Sequence, residues 1–87
     1  MDQLTGSPHT LKFRLEEQTV SGVSPLAGST LGLAEIHSRT GALVLAIRRA
    51  DGSFLTNPSA SEAIKAGDVL ISVGTAEQLG ALANFAT

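Results

Sequence analysis

The chain of 87 residues has no cysteine, no tryptophan and no tyrosine, and only three phenylalanines. Without cysteine there are no disulfide frameworks, thiolate metal sites or cysteine nucleophiles, and the composition suits a reducing compartment. The longest apolar run, Ala42-Leu43-Val44-Leu45-Ala46-Ile47, falls far short of the roughly 18–20 residues that span a bilayer. Positive charge is scarce. Six Lys and Arg against eight Asp and Glu give a formal net charge of −2, so no basic surplus exists to neutralise phosphates and no nucleic-acid partner is expected. The opening Met1-Asp2-Gln3-Leu4-Thr5-Gly6 has neither the basic nor the apolar region of a signal peptide. What is present, 43% hydrophobic and 16% charged residues, describes a globular domain. A domain this small buries only roughly 60–65% of its unfolded surface, and its low charge predicts that it does not live alone.

Residues 1–10, with Gly6, Ser7, Pro8, His9 and Thr10 and no periodicity, read as a flexible leader or expression remnant, and 11–87 as one domain. Leu11, Phe13 and Leu15 alternate with Lys12, Arg14 and Glu16, which predicts a half-buried strand running on to Val20. Ser21-Gly22-Val23-Ser24-Pro25-Leu26-Ala27-Gly28 is a loop by composition. Ser29 or Thr30 caps a short helix through Leu31, Leu33, Ala34, Ile36 and His37, which Gly41 ends. The run Ala42 to Ile47 predicts a strand covered on both faces, with Arg48-Arg49 at its exit. Asp51-Gly52 predicts a tight hairpin turn with positive φ at both residues, returning through Ser53-Phe54-Leu55-Thr56 until Pro58. Ile64 points inward from an irregular segment. Gly67-Asp68 leads into Val69-Leu70-Ile71-Ser72-Val73, and Thr75 with Gln78 forms a capping box for a last helix whose apolar side carries Leu79, Leu82, Ala83, Phe85 and Ala86. The predicted class is α+β, in the order β-α-β-β-β-α, with a small, curled, mostly antiparallel sheet packed on the C-terminal helix.

The catalytic inventory is nearly empty, and no enzyme is expected. His37 has no partner at metal-ligand spacing and reads as a surface or helix-end residue, so no metal site is expected. Glu16 and Glu17 read as a solvated strand face, Asp51 and Asp68 as turn residues, and Glu77 as a first-turn carboxylate. No serine lies in G-x-S-x-G. Gly22, Gly28 and Gly32 do not follow G-x-G-x-x-G, and no P-loop lysine follows a glycine pair, so no cofactor is expected in this chain. Arg48-Arg49 is the only paired positive charge. Alternation sends the two side chains to opposite faces. Two readings stay open: both arginines solvate a strand end, or one guanidinium clamps a phosphate or carboxylate with Ile47 and Pro58 offering apolar surface and Asn57 an amide.

Taken in order, Ser24-Pro25-Leu26-Ala27-Gly28-Ser29-Thr30-Leu31, Ala46-Ile47-Arg48-Arg49-Ala50-Asp51-Gly52, Pro58 and Gly67-Asp68-Val69-Leu70 with Val73-Gly74 resemble the TrkA-C domain, the C-terminal lobe of RCK (regulator of potassium conductance) modules. The resemblance covers nearly all of 11–87. It implies a cytoplasmic ligand-sensing domain at the inner face of the plasma membrane, part of a potassium channel or cation transporter. The implied partners are a second copy, a membrane transport subunit or domain, and a small-molecule effector. Some TrkA-C lobes bind cyclic di-AMP between two copies, which makes that nucleotide or another small anion the expected ligand. The positions that could serve are His37, Ala46, Ile47, Arg48, Arg49, Asn57 and Pro58. The alternative is a purely structural dimerisation module of a cation or anion transporter that binds no small molecule.

Overall fold

A computed structural model describes residues 12–87; the leader, His9 and Leu11 lie outside the described residues. Four strands, β1 (Arg14–Thr19), β2 (Leu43–Arg48), β3 (Phe54–Thr56) and β4 (Val69–Gly74), form one antiparallel sheet in the order β1-β4-β2-β3. Between β1 and β2 lie two short helices, α1 (Leu31–Ala34) and α2 (Ile36–Thr40), and α3 (Ala76–Ala86) closes the chain. This is the α+β order expected from the sequence, with its first helix divided in two.

The division follows from burial. Ala34 and Ile36 both enter the core, at 6% and 4% exposure, yet residues two apart on one helix point about 200° from each other. Glu35 resolves the conflict by taking a left-handed conformation, φ 51° and ψ 44°, between the helices. Thr30 caps α1 by accepting from the Leu33 N–H at 3.1 Å.

One face of the sheet is the core. Ile47, Leu70 and Ser72 point inward with no exposure, and Leu26, Ile64, Leu79 and Leu82 meet them from the loops and α3. The capping box on α3 is complete: Thr75 Oγ1 accepts from Gln78 N–H, and Gln78 Oε1 accepts from Thr75 N–H. The same glutamine is packed against two glycines. A Cβ at Gly41 would lie 2.7 Å from Gln78 Nε2, and one at Gly74 would lie 3.0 Å from Oε1. Ser24, buried ahead of Pro25, ties the loop before α1 to the end of α3 by donating to the Phe85 carbonyl at 2.7 Å.

Three expectations change. Leu15 is 64% exposed, so β1 has the expected period but turns its carboxylate and amide, Glu16 and Gln18, toward the half-buried side. The second strand is covered on one face only, because α2 and α3 occupy the inner side, and Leu43 and Leu45 stay 50% and 41% exposed. Pairing with β4 also shifts register between Val44 and Ala46, a bulge that the unbroken apolar run does not reveal. The hairpin is not a two-residue turn. Gly52 N–H bonds to the Arg49 carbonyl at 3.0 Å and Arg49 N–H to the Ser53 carbonyl at 2.8 Å. Gly52 has φ 90°, whereas Asp51 is not among the positive-φ residues, which describes a three-residue loop closed by a left-handed glycine.

Because Gly52 holds that conformation with open space around it, Gly52→Val should destabilise by about 1–2 kcal/mol through backbone strain alone. A chemical denaturation midpoint read beside Gly52→Asn, which tolerates positive φ better, checks it: the valine variant should fall well below the asparagine one.

Candidate functional site

An apolar concavity lies where α1, α2, the start of β2 and the segment after β3 meet. Its volume is about 180 Å³, and its walls are Leu31 and His37 from the helices, Leu43 and Val44 from β2, and Pro58 with Ala60 opposite. The geometry is set by the backbone. Asn57 takes φ 49° at the end of β3, turning the chain off the sheet edge and bringing Pro58 to the cavity. From there, 60–64 runs beside 28–32: Gly32 N–H bonds to the Ala60 carbonyl at 2.8 Å, Leu31 N–H to Glu62 at 3.0 Å and Ile64 N–H to Ser29 at 2.8 Å. Gly32 suits this closeness, since a Cβ there would sit a tight 3.1 Å from both the Cβ and the carbonyl oxygen of Ala60.

The two arginines do different work from one another. Arg48, on the outer face of the sheet, pairs with Glu17, Nη2 to Oε1 at 2.9 Å and Nη1 to Oε2 at 3.3 Å. The pair holds the Glu17 carboxyl below the usual glutamate range and raises the arginine, chiefly through the hydrogen bonds and then through charge. Arg49 turns the other way, into a nest of acceptors. Its guanidinium bonds Glu62 Oε2 at 2.5 Å, the Ala63 carbonyl at 2.9 Å and the carboxylate of Asp68. Asp68 is 2% exposed and also accepts from the Lys65 N–H at 2.8 Å.

Of the seven residues singled out from the sequence, His37 and Pro58 meet at the cavity. Asn57 adjoins it through its backbone turn. Ile47 lies in the core with no exposure, and Ala46 is 5% exposed. Arg48 and Arg49 are engaged in ion pairs on opposite sides of the sheet, the opposition that strand alternation predicts. The sequence reading missed Leu31, Leu43, Val44 and Ala60 as cavity walls. Gly32 was the available signal, because a glycine inside a helix marks a close approach. Among the described residues, no three His, Asp or Glu side chains converge as metal ligands would.

Removing Arg49 would leave Asp68 buried without its cation, so Arg49→Met should cost about 3 kcal/mol or more. Thermal or chemical melts should show Arg49→Met with Asp68→Asn recovering much of that loss; equal melts for the single and double variants would assign the cost to packing. For Glu17 the folded carboxyl is depressed, so its contribution is present above the unfolded glutamate pKa and fades as pH falls through the lower folded value. An NMR titration of the Glu17 carboxyl should therefore move up toward the ordinary glutamate range in Arg48→Gln.

Known proteins fit this architecture. The family model for the TrkA-C domain matches residues 16–87. A solved RCK_C domain dimer of S. agalactiae BusR in complex with c-di-AMP is 27% identical, with a TM-score of 0.76 over 82% of this chain and 86% of that one. In BusR bound to its busAB-promotor DNA, the match spans 34% of that chain, so what this chain matches is about a third of that protein. The acidic balance thus speaks for this segment's charge and not for the partners of a longer protein. The GsuK channel is 32% identical over 85% of this chain and 13% of that one, TM-score 0.73. The RCK C domain of the potassium transport protein KtrA, in complex with c-di-AMP, is 22% identical, with a TM-score of 0.75 over 84% and 82% of the two chains, and shares the fold. No curated protein matches by sequence. With its family model covering all but the first fifteen residues, the chain belongs to the TrkA-C domain family, the C-terminal lobe of RCK modules.

Proposed function

We propose that the chain is a ligand-sensing lobe of a cytoplasmic transport regulator, in which two copies hold one small-molecule effector between them. The observation that carries this reading is the open apolar cavity with His37 at its wall. Its volume, about 180 Å³, is below the roughly 300–1,000 Å³ of pockets that enclose a whole small ligand. One copy therefore takes one flat apolar group, and a two-fold pair of copies takes two. A cyclic dinucleotide has that symmetry, with two bases to bury and two phosphates to satisfy. Leu31, Val44 and Pro58 offer surface to a base, and the His37 ring N–H can donate to a phosphate oxygen. Arg48 and Arg49 keep their ion pairs in this arrangement. The BusR relative, 27% identical and of similar length, forms a dimer with c-di-AMP, which supports the same class of ligand here.

The mechanism is population shift. An effector bound across two copies favours the dimer arrangement that presents both half-sites, and the parent protein reads that arrangement only if the effector binds its alternatives less well. In this reading the cavity, with one imidazole at its wall, is a binding site. A structural dimerisation module is the second reading, favoured by the exposed apolar sheet face.

Calorimetric titration with cyclic di-AMP should give saturable heat at one ligand per two chains. His37→Ala should weaken it roughly tenfold, the worth of one charge-assisted hydrogen bond, and Arg48→Ala should leave it unchanged. No heat with cyclic di-AMP or other cyclic dinucleotides at millimolar concentration would leave the structural reading in place.

A further inference from the structure

We propose that His37 makes the cavity a proton-linked site, one whose affinity for a phosphate-bearing ligand falls as pH rises. The proposal rests on the reading that the cavity takes a cyclic dinucleotide, and it adds how that site is regulated. Nine residues line the cavity, and His37 is the one titratable side chain among them. Leu31 from α1, Val44 from β2 and Ala60 opposite give walls with neither charge nor hydroxyl. An imidazole is the side chain whose ordinary titration changes its charge between pH 5 and 8. Carboxylates, lysines and arginines ordinarily hold theirs across that range.

The charged groups on the surrounding elements are already engaged. On the helix of His37 itself, Glu35 and Arg39 pair with each other at 3.6 Å. The Arg39 guanidinium also lies 5.7 Å from the centre of the Phe85 ring on α3. The one carboxylate of α3, Glu77, is in its first turn, at the other end of that helix from Phe85. In the segment opposite, Glu62 is held by Arg49 at 2.5 Å, and the hydroxyls of Ser59 and Ser61 bond each other at 3.0 Å. α1 has no charged residue, and β2 has none before Arg48, which Glu17 takes. The imidazole is therefore the charge that a phosphate in the cavity would meet. Protonated, the ring offers two N–H donors and a positive charge; neutral, it keeps one donor and no charge. Apolar walls sharpen that difference, because they screen charge less than water does. A ligand that favours the charged ring must draw a proton onto it as it binds, so affinity and proton uptake are linked.

Calorimetric titration of the whole chain with cyclic di-AMP, at about pH 5.5 and about pH 8.5, brackets the imidazole range and tests the linkage. Affinity should fall at least about tenfold from the acid to the alkaline end, the difference between a charge-assisted and a neutral hydrogen bond. Near neutral pH, titrations in two buffers of different ionisation enthalpy should show net proton uptake on binding. His37→Gln keeps an N–H donor that does not titrate. It should bind at both ends about as weakly as the wild type does at the alkaline one, with no proton uptake. His9→Gln, at the only other histidine of the chain, should keep the full pH dependence. Thermal melts at each pH separate loss of binding from loss of fold. Equal affinity at both ends, or a pH dependence that survives His37→Gln, would overturn the proposal and leave the ligand reading standing. No binding by folded protein at either end would overturn both.

Discussion

The salt bridge between Arg49 and Asp68 is the constraint on which the cavity depends. A carboxylate with 2% exposure is tolerated only with a cation and further donors, because desolvating a lone charge costs several kcal/mol. Asp68 has both, the Arg49 guanidinium and the Lys65 N–H. Meeting that demand joins three segments. Arg49 leaves β2, Asp68 leads into β4, and the other arms of the guanidinium reach Glu62 and the Ala63 carbonyl. Glu62 and Ala63 lie in the segment that runs beside α1 and supplies one wall of the cavity. An arginine that from sequence could have gripped a ligand instead fixes the wall a ligand would meet.

That arrangement explains how two adjacent arginines come to have unrelated roles. Successive side chains on a strand leave opposite faces, so one guanidinium had to reach the loop side and the other the outer face. On the loop side it found two carboxylates and a carbonyl. On the outer face it found Glu17, two strands away across β4. Exposed pairs of this kind contribute little to stability. Balancing the two charges is a different effect, because it leaves the outer face of the paired strands with no net charge.

Features governed by local chemistry were legible in the sequence, and those governed by which surface gets covered were not. The capping box at Thr75 and Gln78 and the glycine conformation at Gly52 follow from backbone demands within a few residues, and both are present. The face of β1 is different. Alternation of Leu15 with Arg14 and Glu16 states that two sides differ, but the helices settle on the side that carries Ile47, Leu70 and Ser72. A one-residue change in which side is covered inverts every burial assignment on a strand. The division at Glu35 escaped for a related reason. Leu31 with Ala34 and Leu33 with Ile36 keep helical spacing on paper, and only the demand that Ala34 and Ile36 both be buried rules out a straight helix. The cavity walls Leu31 and Val44 read as core, because periodicity cannot separate an apolar residue in a closed core from one beside an open cavity.

Leu43 is where these threads meet. It stands in the row that begins at Leu15 on the sheet edge, and it also lines the cavity. Any contact that covers the row changes what surrounds the cavity, and any group that fills the cavity changes what the row presents. A contact on the row and a group in the cavity would then be coupled without a moving part, since both would touch the same side chain. Thermodynamic reciprocity fixes its sign: if association tightens ligand binding by some factor, ligand tightens association by the same factor. A ligand that bridges two copies stabilises the dimer over the monomers by an amount that grows as RT ln(1 + [L]/Kd). An effector shared by two copies, as proposed, would thus set their state of assembly by its concentration.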